Sequence, residues 1–217
     1  MDETTFAKLR RAVTDGEPAV AEAAARDALA AGVPPLRLID EAAMPALREV
    51  GEGFSSGDLY LPDLMLAARA MQAAMRVIEP ALGAGGEQRA SAGRVVLGTV
   101  AGDIHEIGKN LVATLLSANG FEVHDLGVDV APEAFVAKAA EVRADLVGVS
   151  ALLTTTMIGQ RAVVEALVAA GLRPRVKVIV GGAPVTRAWA DEIGADAYAE
   201  DAIAAVDAAR RLVGPAT

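Results

Sequence analysis

Apolar and polar positions in the first 82 residues follow a helical period, and no stretch alternates as a half-buried strand does. The pattern predicts four helices joined by short links, a small bundle. They are expected at about 4–14, 17–32, 34–50 and 61–78. Pro45 should kink the third helix or mark its true start, and the stretch GEGFSSGD after it is predicted to be a turn.

The second half of the chain alternates short apolar runs with helical patterns. Five strands are predicted, at 95–100, 122–126, 146–149, 177–180 and 197–198. Such alternation favours a parallel, doubly wound α/β sheet with helices on both faces. Residues 83–93, GAGGEQRASAG, lack large apolar side chains and are typical of a linker. We therefore expect a helical domain at 1–83, a linker at 84–93 and a sheet domain at 94–217.

Composition narrows the classes of function. The 217 residues carry a formal charge of −9 without a Lys or Arg cluster, which argues against a nucleic-acid surface. Cysteine is absent, which excludes disulfides, thiolate metal sites and a cysteine nucleophile. Neither a signal peptide nor an apolar run of membrane-spanning length is present, so no membrane association and a cytoplasmic location are expected.

Unusual side chains follow three of the predicted strands. In a parallel sheet these loops share one edge, and ligands bind there, between the first and third strands when the order is 2-1-3-4-5. The first loop carries Asp103, His105 and Gly108, and the fourth strand is followed by Gly181 and Gly182. The loop after the third strand, SALLTTT, contains Ser150, Leu152, Thr154, Thr155 and Thr156. We predict one crevice lined by a metal ligand, hydroxyl groups and closely approachable backbone.

His105 has two interpretations. It is either a loop histidine that caps the next helix or bonds a backbone carbonyl, or an imidazole metal ligand oriented by the carboxylate of Asp103. No second histidine or cysteine stands at ligand spacing, so a bare zinc or iron ion would not be held. A metal here has to arrive inside a macrocycle. The threonine run has its own alternative, as an N-cap for the helix that follows.

The motifs GDIHEIGKN, SALLTTTM and VGGAPVT resemble the Asp-x-His-x-x-Gly, Ser-x-Leu-x-Thr and Gly-Gly segments of cobalamin-binding domains, in the same order and strand context. The first half, especially GDLYLPDLMLAARAMQAAMRVIEP, is similar to the helical cap module of methionine synthase and of methanol, methylamine and betaine corrinoid proteins. The resemblance covers nearly the whole chain. It implies a four-helix cap followed by a flavodoxin-like, five-stranded domain that binds cobalamin.

The resemblance also implies roles for individual residues. Cobalamin would bind base-off, with His105 as the axial ligand of cobalt, Asp103 accepting the imidazole proton and Thr156 completing the relay. Its displaced nucleotide tail would enter a slot beside the sheet. The predicted cofactor-binding residues of this domain are Asp103, His105, Gly108, Ser150, Leu152, Thr154, Thr156, Gly181 and Gly182.

Four residues at the start of the fourth helix are predicted to shield the upper face of the corrin. They are Tyr60, Leu61, Leu64 and Met65, and their alternative role is in the bundle core. His124 lies inside the second strand pattern, where a structural role is expected. Glu200 and Asp201 follow the fifth strand and either touch corrin amides or begin a solvated helix.

The function implied by the resemblance is methyl transport without turnover by the chain alone. Cobalamin would take a methyl group from a substrate-specific methyltransferase and would cycle between its cob(I)alamin and methylcobalamin forms. A second methyltransferase, acting for example on tetrahydrofolate or a thiol, would receive it. Two other classes stay open: a cobalamin-dependent light sensor or repressor, which would need a DNA-binding domain, and an adenosylcobalamin mutase subunit, which usually lacks such a cap.

Overall fold

The computed structural model of the chain describes residues 2–84 and 91–214. They fall into two compact units, a helical unit within 1–90 and a sheet unit within 91–217. The predicted linker lies mostly outside the described residues. Its first part does not, because the last helix of the helical unit continues to Ala84. No helix in the described parts of the chain combines the length and apolar character needed to cross a bilayer.

The helical unit contains the predicted helices, but the third is interrupted by a π-helical segment, and the third and fourth both end later than predicted. Its elements are α1 (Asp2–Thr14), α2 (Pro18–Ala30), α3 (Pro35–Leu38), a π-helical segment (Ile39–Ala43), α4 (Met44–Ser56) and α5 (Leu61–Ala84). The π-helical segment ends two residues before Pro45, which has no N–H to give to an α-helical bond. Pro45 thus sits in the first turn of α4, and α3 continues into α4 through the wider segment.

The turn predicted from GEGFSSGD is wrong for most of its length. Helix α4 runs through Ser56, and the chain leaves it only at Gly57, which has a φ of 84°. Gly53 serves packing instead, since a Cβ there would lie 2.8 Å from the Leu59 side chain. Glycine that permits a close side-chain contact inside a helix gives the same sequence signal as glycine in a turn.

The sheet unit alternates strands and helices as predicted. The strands are β1 (Arg94–Thr99), β2 (Glu122–Asp125), β3 (Leu146–Ser150), β4 (Lys177–Gly181) and β5 (Ala197–Ala199). The helices are α6 (Ile107–Ala118), α7 (Pro132–Glu141), α8 (Ile158–Ala169), α9 (Arg187–Ile193) and α10 (Ala202–Val213). All strand pairs are parallel, in the order β2-β1-β3-β4-β5. The predicted fold class and switch point are therefore confirmed.

The two faces of the sheet are covered differently. On one face, Val96, Val147, Val149, Val178 and Val180 are buried in a continuous core with α7, α8 and α9. On the other face, α6 packs against β1 and β2 while α10 packs against β4 and β5. The central strand β3 lies between these two helices, and its Gly148 and Ser150 are only half-buried. Although α6 and α10 also contact each other, this face of β3 is covered less completely than the opposite one.

Candidate functional site

The strand register brings the three predicted loops together. Thr99 of β1 pairs with Ser150 of β3, which in turn pairs with Gly181 of β4, so the three strands end side by side. Gln160 secures this edge, because its buried amide donates to the carbonyls of Val149 at 2.9 Å and Gly181 at 3.1 Å. The loops after β1, β3 and β4 thus begin from one fixed edge.

Asp103 is the centre of the site. Its side chain is fully buried, and each carboxylate oxygen accepts two hydrogen bonds. Oδ1 accepts from the His105 backbone N–H at 3.0 Å and lies 2.7 Å from the imidazole Nδ1. Oδ2 accepts from the Leu152 backbone N–H and from the Thr156 hydroxyl, both at 2.7 Å. The loops after β1 and β3 are therefore joined through one carboxylate.

The surroundings of Asp103 keep it ionised. Burial by itself would raise the pKa of the carboxyl group. The hydrogen bonds from the Leu152 N–H, the Thr156 hydroxyl and the two groups of His105 outweigh burial and hold the pKa well below its ordinary value. An ionised carboxylate can only accept, so the Nδ1 of His105 must carry the proton that they share.

The tautomer of His105 follows from this contact. With its proton on Nδ1, the neutral ring has a free lone pair on Nε2. The Nε2 atom has no hydrogen-bond partner within the described ranges, and 45% of the side chain is exposed. The structure shows neither a bond from the His105 ring to a carbonyl nor a threonine cap on α8, the two alternatives for these segments. The ring bonds a carboxylate, and among the described residues no threonine side chain caps α8. The site presents one oriented imidazole nitrogen to the outside.

Five exposed apolar side chains lie at the same edge of the sheet as this imidazole, two beside it in sequence and three after β3. This apolar rim consists of Ile104, Ile107, Leu152, Leu153 and Ile158. Ile104 and Ile107 are 74% and 85% exposed, on either side of His105. Large apolar groups clustered at the edge of a parallel sheet mark a surface that something covers. Their position next to a free imidazole nitrogen suits a flat, largely apolar ligand that contains a metal.

A corrinoid fits the site better than a bare ion does. Among the residues that the structure describes, no three His, Cys, Asp or Glu side chains come together as a metal site. At Gly108 no described heavy atom lies within 4 Å of the place that a Cβ would occupy, so the fold itself does not require glycine there. Room at Gly108, the half-buried residues of β3 and a single nitrogen ligand match a macrocycle with a side arm.

The Gly-Gly loop is explained by the chain itself. A Cβ on Gly182, whose φ is 125°, would lie 1.8 Å from the Ala151 carbonyl oxygen, and a Cβ on Gly181 would lie 3.0 Å from that of Ala199. The resemblance predicts that both glycines line the cofactor slot. The structure supplies a different reason, close backbone contact with the neighbouring strand for Gly181 and with the neighbouring loop for Gly182, and their contact with a cofactor stays a prediction.

Gly182→Ala is therefore expected to destabilise the sheet unit strongly. We expect the free energy of unfolding to fall by roughly 4 kcal/mol, because the added carbon collides with backbone that cannot rotate away. Gly171→Ala is the matched control, since its φ of 69° is also positive but nothing lies within 4 Å. That variant should lose only about 1 kcal/mol. Urea denaturation of both would refute the explanation if their losses were equal.

Several residues that hold the site were missed by sequence reasoning. Thr99 is buried and donates to the His105 carbonyl at 3.0 Å. Lys109 is 3% exposed and pairs with Asp125, and Asp129 accepts from the Gly102 N–H at 2.7 Å. Two of these residues could have been found from their positions in the sequence. Lys109 directly follows the Asp-x-His-x-x-Gly motif, and Asp129 follows the second strand.

The other predicted residues differ in exposure. Tyr60 and Leu61 are exposed and Met65 is half-buried, whereas Leu64 is 1% exposed and belongs to the core of the helical unit. The role of this group against a corrin stays a prediction. The remaining predicted positions on the sheet edge are Ser150, whose hydroxyl finds no partner in the described part of the chain, and Thr154, which is exposed.

Two further predictions concern residues away from the central carboxylate. The Nε2 atom of His124 is buried without a hydrogen bond among the described residues, although it lies 3.0 Å from a Glu122 carboxylate oxygen. Asp201 caps α10 by accepting from the Ala204 N–H at 2.7 Å, as expected of a helix start. Glu200 is exposed.

Known proteins share this organisation. A family model described as a B12 binding domain matches residues 93–207, more than half of the chain, and a second with the same description matches residues 5–79. Trimethylamine corrinoid protein 1 of Methanosarcina acetivorans is 46% identical over 97% of this chain and 98% of its own length. Dimethylamine corrinoid protein 3 of the same organism is 51% identical over 84% of this chain and 85% of its own.

Solved structures agree. A cobalamin-binding protein from Desulfitobacterium hafniense is 37% identical with a TM-score of 0.79, covering 97% of this chain and 98% of that one. The methanol:cobalamin methyltransferase complex MtaBC of Methanosarcina barkeri contains a chain that is 30% identical, with a TM-score of 0.86 and coverage of 98% and 81%. Both sequence and structure place this chain among corrinoid proteins: it belongs to the B12-binding, corrinoid protein family.

Proposed function

We propose that this chain carries a methyl group on cobalamin bound base-off, with His105 as the lower axial ligand, between a substrate-specific methyltransferase and an acceptor methyltransferase. The observation that carries the proposal is the imidazole of His105. It is held by a buried, ionised Asp103 at 2.7 Å and leaves Nε2 free among exposed apolar side chains.

The residues of the sheet unit divide the work. Cobalt in a bound corrinoid supplies the centre that accepts and releases the methyl group. His105 supplies one neutral nitrogen donor, and Asp103 fixes the ring orientation and keeps the proton on Nδ1. The other oxygen of that carboxylate accepts from the Thr156 hydroxyl and the Leu152 N–H. A shift of the imidazole would therefore change hydrogen bonds to the loop after β3.

Water exclusion and tail binding are assigned to the remaining residues. The apolar rim covers the surface around His105 and keeps water from the region of the metal ligand. The hydroxyls of Ser150 and Thr154 are free among the described residues to bond the nucleotide arm at the carboxyl end of β3. Gly108 leaves space beside the first turn of α6, where such an arm would not meet a side chain.

The substrate proposed is a methylated amine. Relatives at 45–51% identity over most of the chain are named trimethylamine or dimethylamine corrinoid proteins, whereas the methanol complex is only 30% identical. The donor is recognised by the partner methyltransferase, and acceptors such as tetrahydrofolate or a thiol by the second one. Without these methyltransferases, the chain is expected to turn over neither the methyl donor nor the methyl acceptor.

The test is transfer of labelled methyl groups. The chain, loaded with cobalamin and reduced, is mixed with the methyltransferase that copurifies with it, and with trimethylamine, dimethylamine or methanol carrying a radiolabelled methyl group. The label should appear on the loaded chain with an amine donor and only when the methyltransferase is present. No transfer from any donor, or equal transfer by a chain carrying His105→Ala, would overturn the proposal.

A further inference from the structure

The segment from Asp125, the last residue of β2, to Val130 is held against the loop after β1 that carries His105, residues 100–106, called the ligand loop below. The Val130 N–H donates to the Thr99 carbonyl at 3.0 Å, and the Thr99 N–H donates to the Gly127 carbonyl at 3.0 Å. These bonds, with the parallel bridge between Val100 and Val130, continue the β1–β2 pairing beyond the ends of the two strands. This segment, called the β2 loop below, is thus the direct neighbour of the ligand loop.

Asp129 ties the β2 loop to the start of the ligand loop twice. Its carboxylate accepts from the Gly102 N–H at 2.7 Å, and its own N–H donates to the Asp103 carbonyl at 3.0 Å. Asp129 makes both contacts with a φ of 53°, a left-handed conformation that non-glycine residues seldom adopt and that Asp and Asn tolerate best. Gly102 has a positive φ of 78° as well, so two unusual backbone conformations meet at this contact.

Lys109, just after the other end of the ligand loop, also bonds the β2 loop. It lies in the first turn of α6, is 3% exposed, and its ammonium group bonds the Asp125 carboxylate and the Asn110 side chain, the latter at 2.8 Å. The second oxygen of Asp125 accepts from the Gly127 N–H at 2.9 Å. A buried lysine is rare unless it is paired, and here its partner is the first residue of the β2 loop.

From these contacts we propose that the β2 loop positions His105, with Asp129 and Lys109 as positioning residues, so that the ligand is presented before any corrinoid arrives. The segment between Gly102 and Lys109 is fixed at both ends to the same neighbouring loop, and the Thr99 hydroxyl holds the His105 carbonyl between them. Asp103 sets how the imidazole is turned, whereas the β2 loop sets where its backbone stands. This inference rests on the proposed role of His105.

The experiment compares two substitutions at one position in the full-length chain. Asp129→Gly keeps the left-handed backbone accessible but removes the acceptor for the Gly102 N–H. Asp129→Asn keeps an acceptor oxygen and tolerates the same backbone. Hydroxocobalamin is titrated into each apo chain, and the dissociation constant, the absorption spectrum of the bound form and the melting temperature of the apo chain are measured.

Asp129→Gly is expected to weaken hydroxocobalamin binding about 10-fold and to lower the fraction with the imidazole-ligated spectrum. Asp129→Asn is expected to bind as the unaltered chain does. Arg143→Gly is the matched control, because Arg143 also has a positive φ, 52°, but lies between α7 and β3 at the opposite edge of the sheet. It should leave both the dissociation constant and the spectrum unchanged.

A merely structural role would shift the melting temperature of Asp129→Gly without changing binding or spectrum, and that result would overturn the inference. Lys109→Met cuts the other tie and provides the same comparison if Asp129→Gly folds poorly. Unaltered binding by Lys109→Met would then count against the proposal. If the unaltered chain itself fails to show imidazole ligation, the proposed function fails instead, so the two failures are distinguishable.

Discussion

His105→Ala abolishes the imidazole-ligated absorption spectrum of bound hydroxocobalamin and weakens binding by at least about 100-fold. The size of the effect follows from the site, since changes to groups that only support a metal ligand already cost about 10- to 100-fold. No second described histidine, cysteine or carboxylate stands close enough to form a site with His105 beyond Asp103, which is itself fully buried. No neighbouring side chain can therefore replace the lost nitrogen.

His124→Ala is the control for this experiment, because it removes the only other histidine from the same sheet unit. His124 lies on β2 and contacts Glu122 at 3.0 Å rather than the ligand loop. Its loss should leave the spectrum and the dissociation constant as they were. If His124→Ala removed the spectrum, or His105→Ala preserved it, the assignment of the ligand would be wrong.

Asp103→Asn is expected to weaken hydroxocobalamin binding about 10- to 100-fold and to destabilise the apo chain by about 2 kcal/mol. The carboxylate accepts four hydrogen bonds, two on each oxygen. An amide offers one oxygen and one NH₂ group, so one pair of donors would face another donor. If the NH₂ group turns toward His105, it favours the tautomer with the proton on Nε2, and that outward nitrogen can then no longer bind a metal.

Acid titration gives the same substitution a second readout. The pKa of Asp103 is lower in the folded chain than its ordinary value, because hydrogen bonds from Leu152, Thr156 and His105 outweigh the opposing effect of burial. The stabilisation from this carboxylate is therefore complete above the ordinary pKa of an aspartate and is lost as the pH falls below it. Asp103→Asn should reduce the loss of stability of the apo chain in that acidic range.

Asp145→Asn provides the comparison, because Asp145 also accepts a backbone N–H, from Arg94 at 2.8 Å, but at the opposite edge of the sheet. It is expected to change stability without altering the spectrum of bound hydroxocobalamin. Equal effects of the two substitutions on the spectrum, measured by titration at one pH, would contradict the orienting role of Asp103.

The sequence predicted the strands and the site edge because both have local signals. Runs such as VVLGTV and DLVGVS are apolar on both faces, which is typical of buried parallel strands, and strand order then places the loops after β1 and β3 together. The Thr156 hydroxyl and Asp103 are in contact although they are far apart in sequence, and their role as a relay stays a prediction. Resemblance to a family, rather than periodicity, supplied that pair.

What the sequence could not predict depends on contacts between distant segments. The glycine at 182 is explained by the carbonyl of Ala151, and the buried Lys109 by Asp125 on the next strand. Neither contact has a period or a spacing that marks it in one sequence. The extension of α4 through Ser56 was missed for a related reason, since Gly53 packs against Leu59 where a local interpretation expects a turn.

Electron paramagnetic resonance of the cobalt(II) form tests the central claim most directly. The chain is prepared with histidine labelled with nitrogen-15 and loaded with cobalamin of natural isotopic composition. If His105 is the axial ligand, the splitting from the axial nitrogen changes from the triplet of nitrogen-14 to the doublet of nitrogen-15, and the change is absent in His105→Ala. A triplet that persists in the labelled chain would show that cobalt keeps the nitrogen of its own nucleotide base, and would contradict the account.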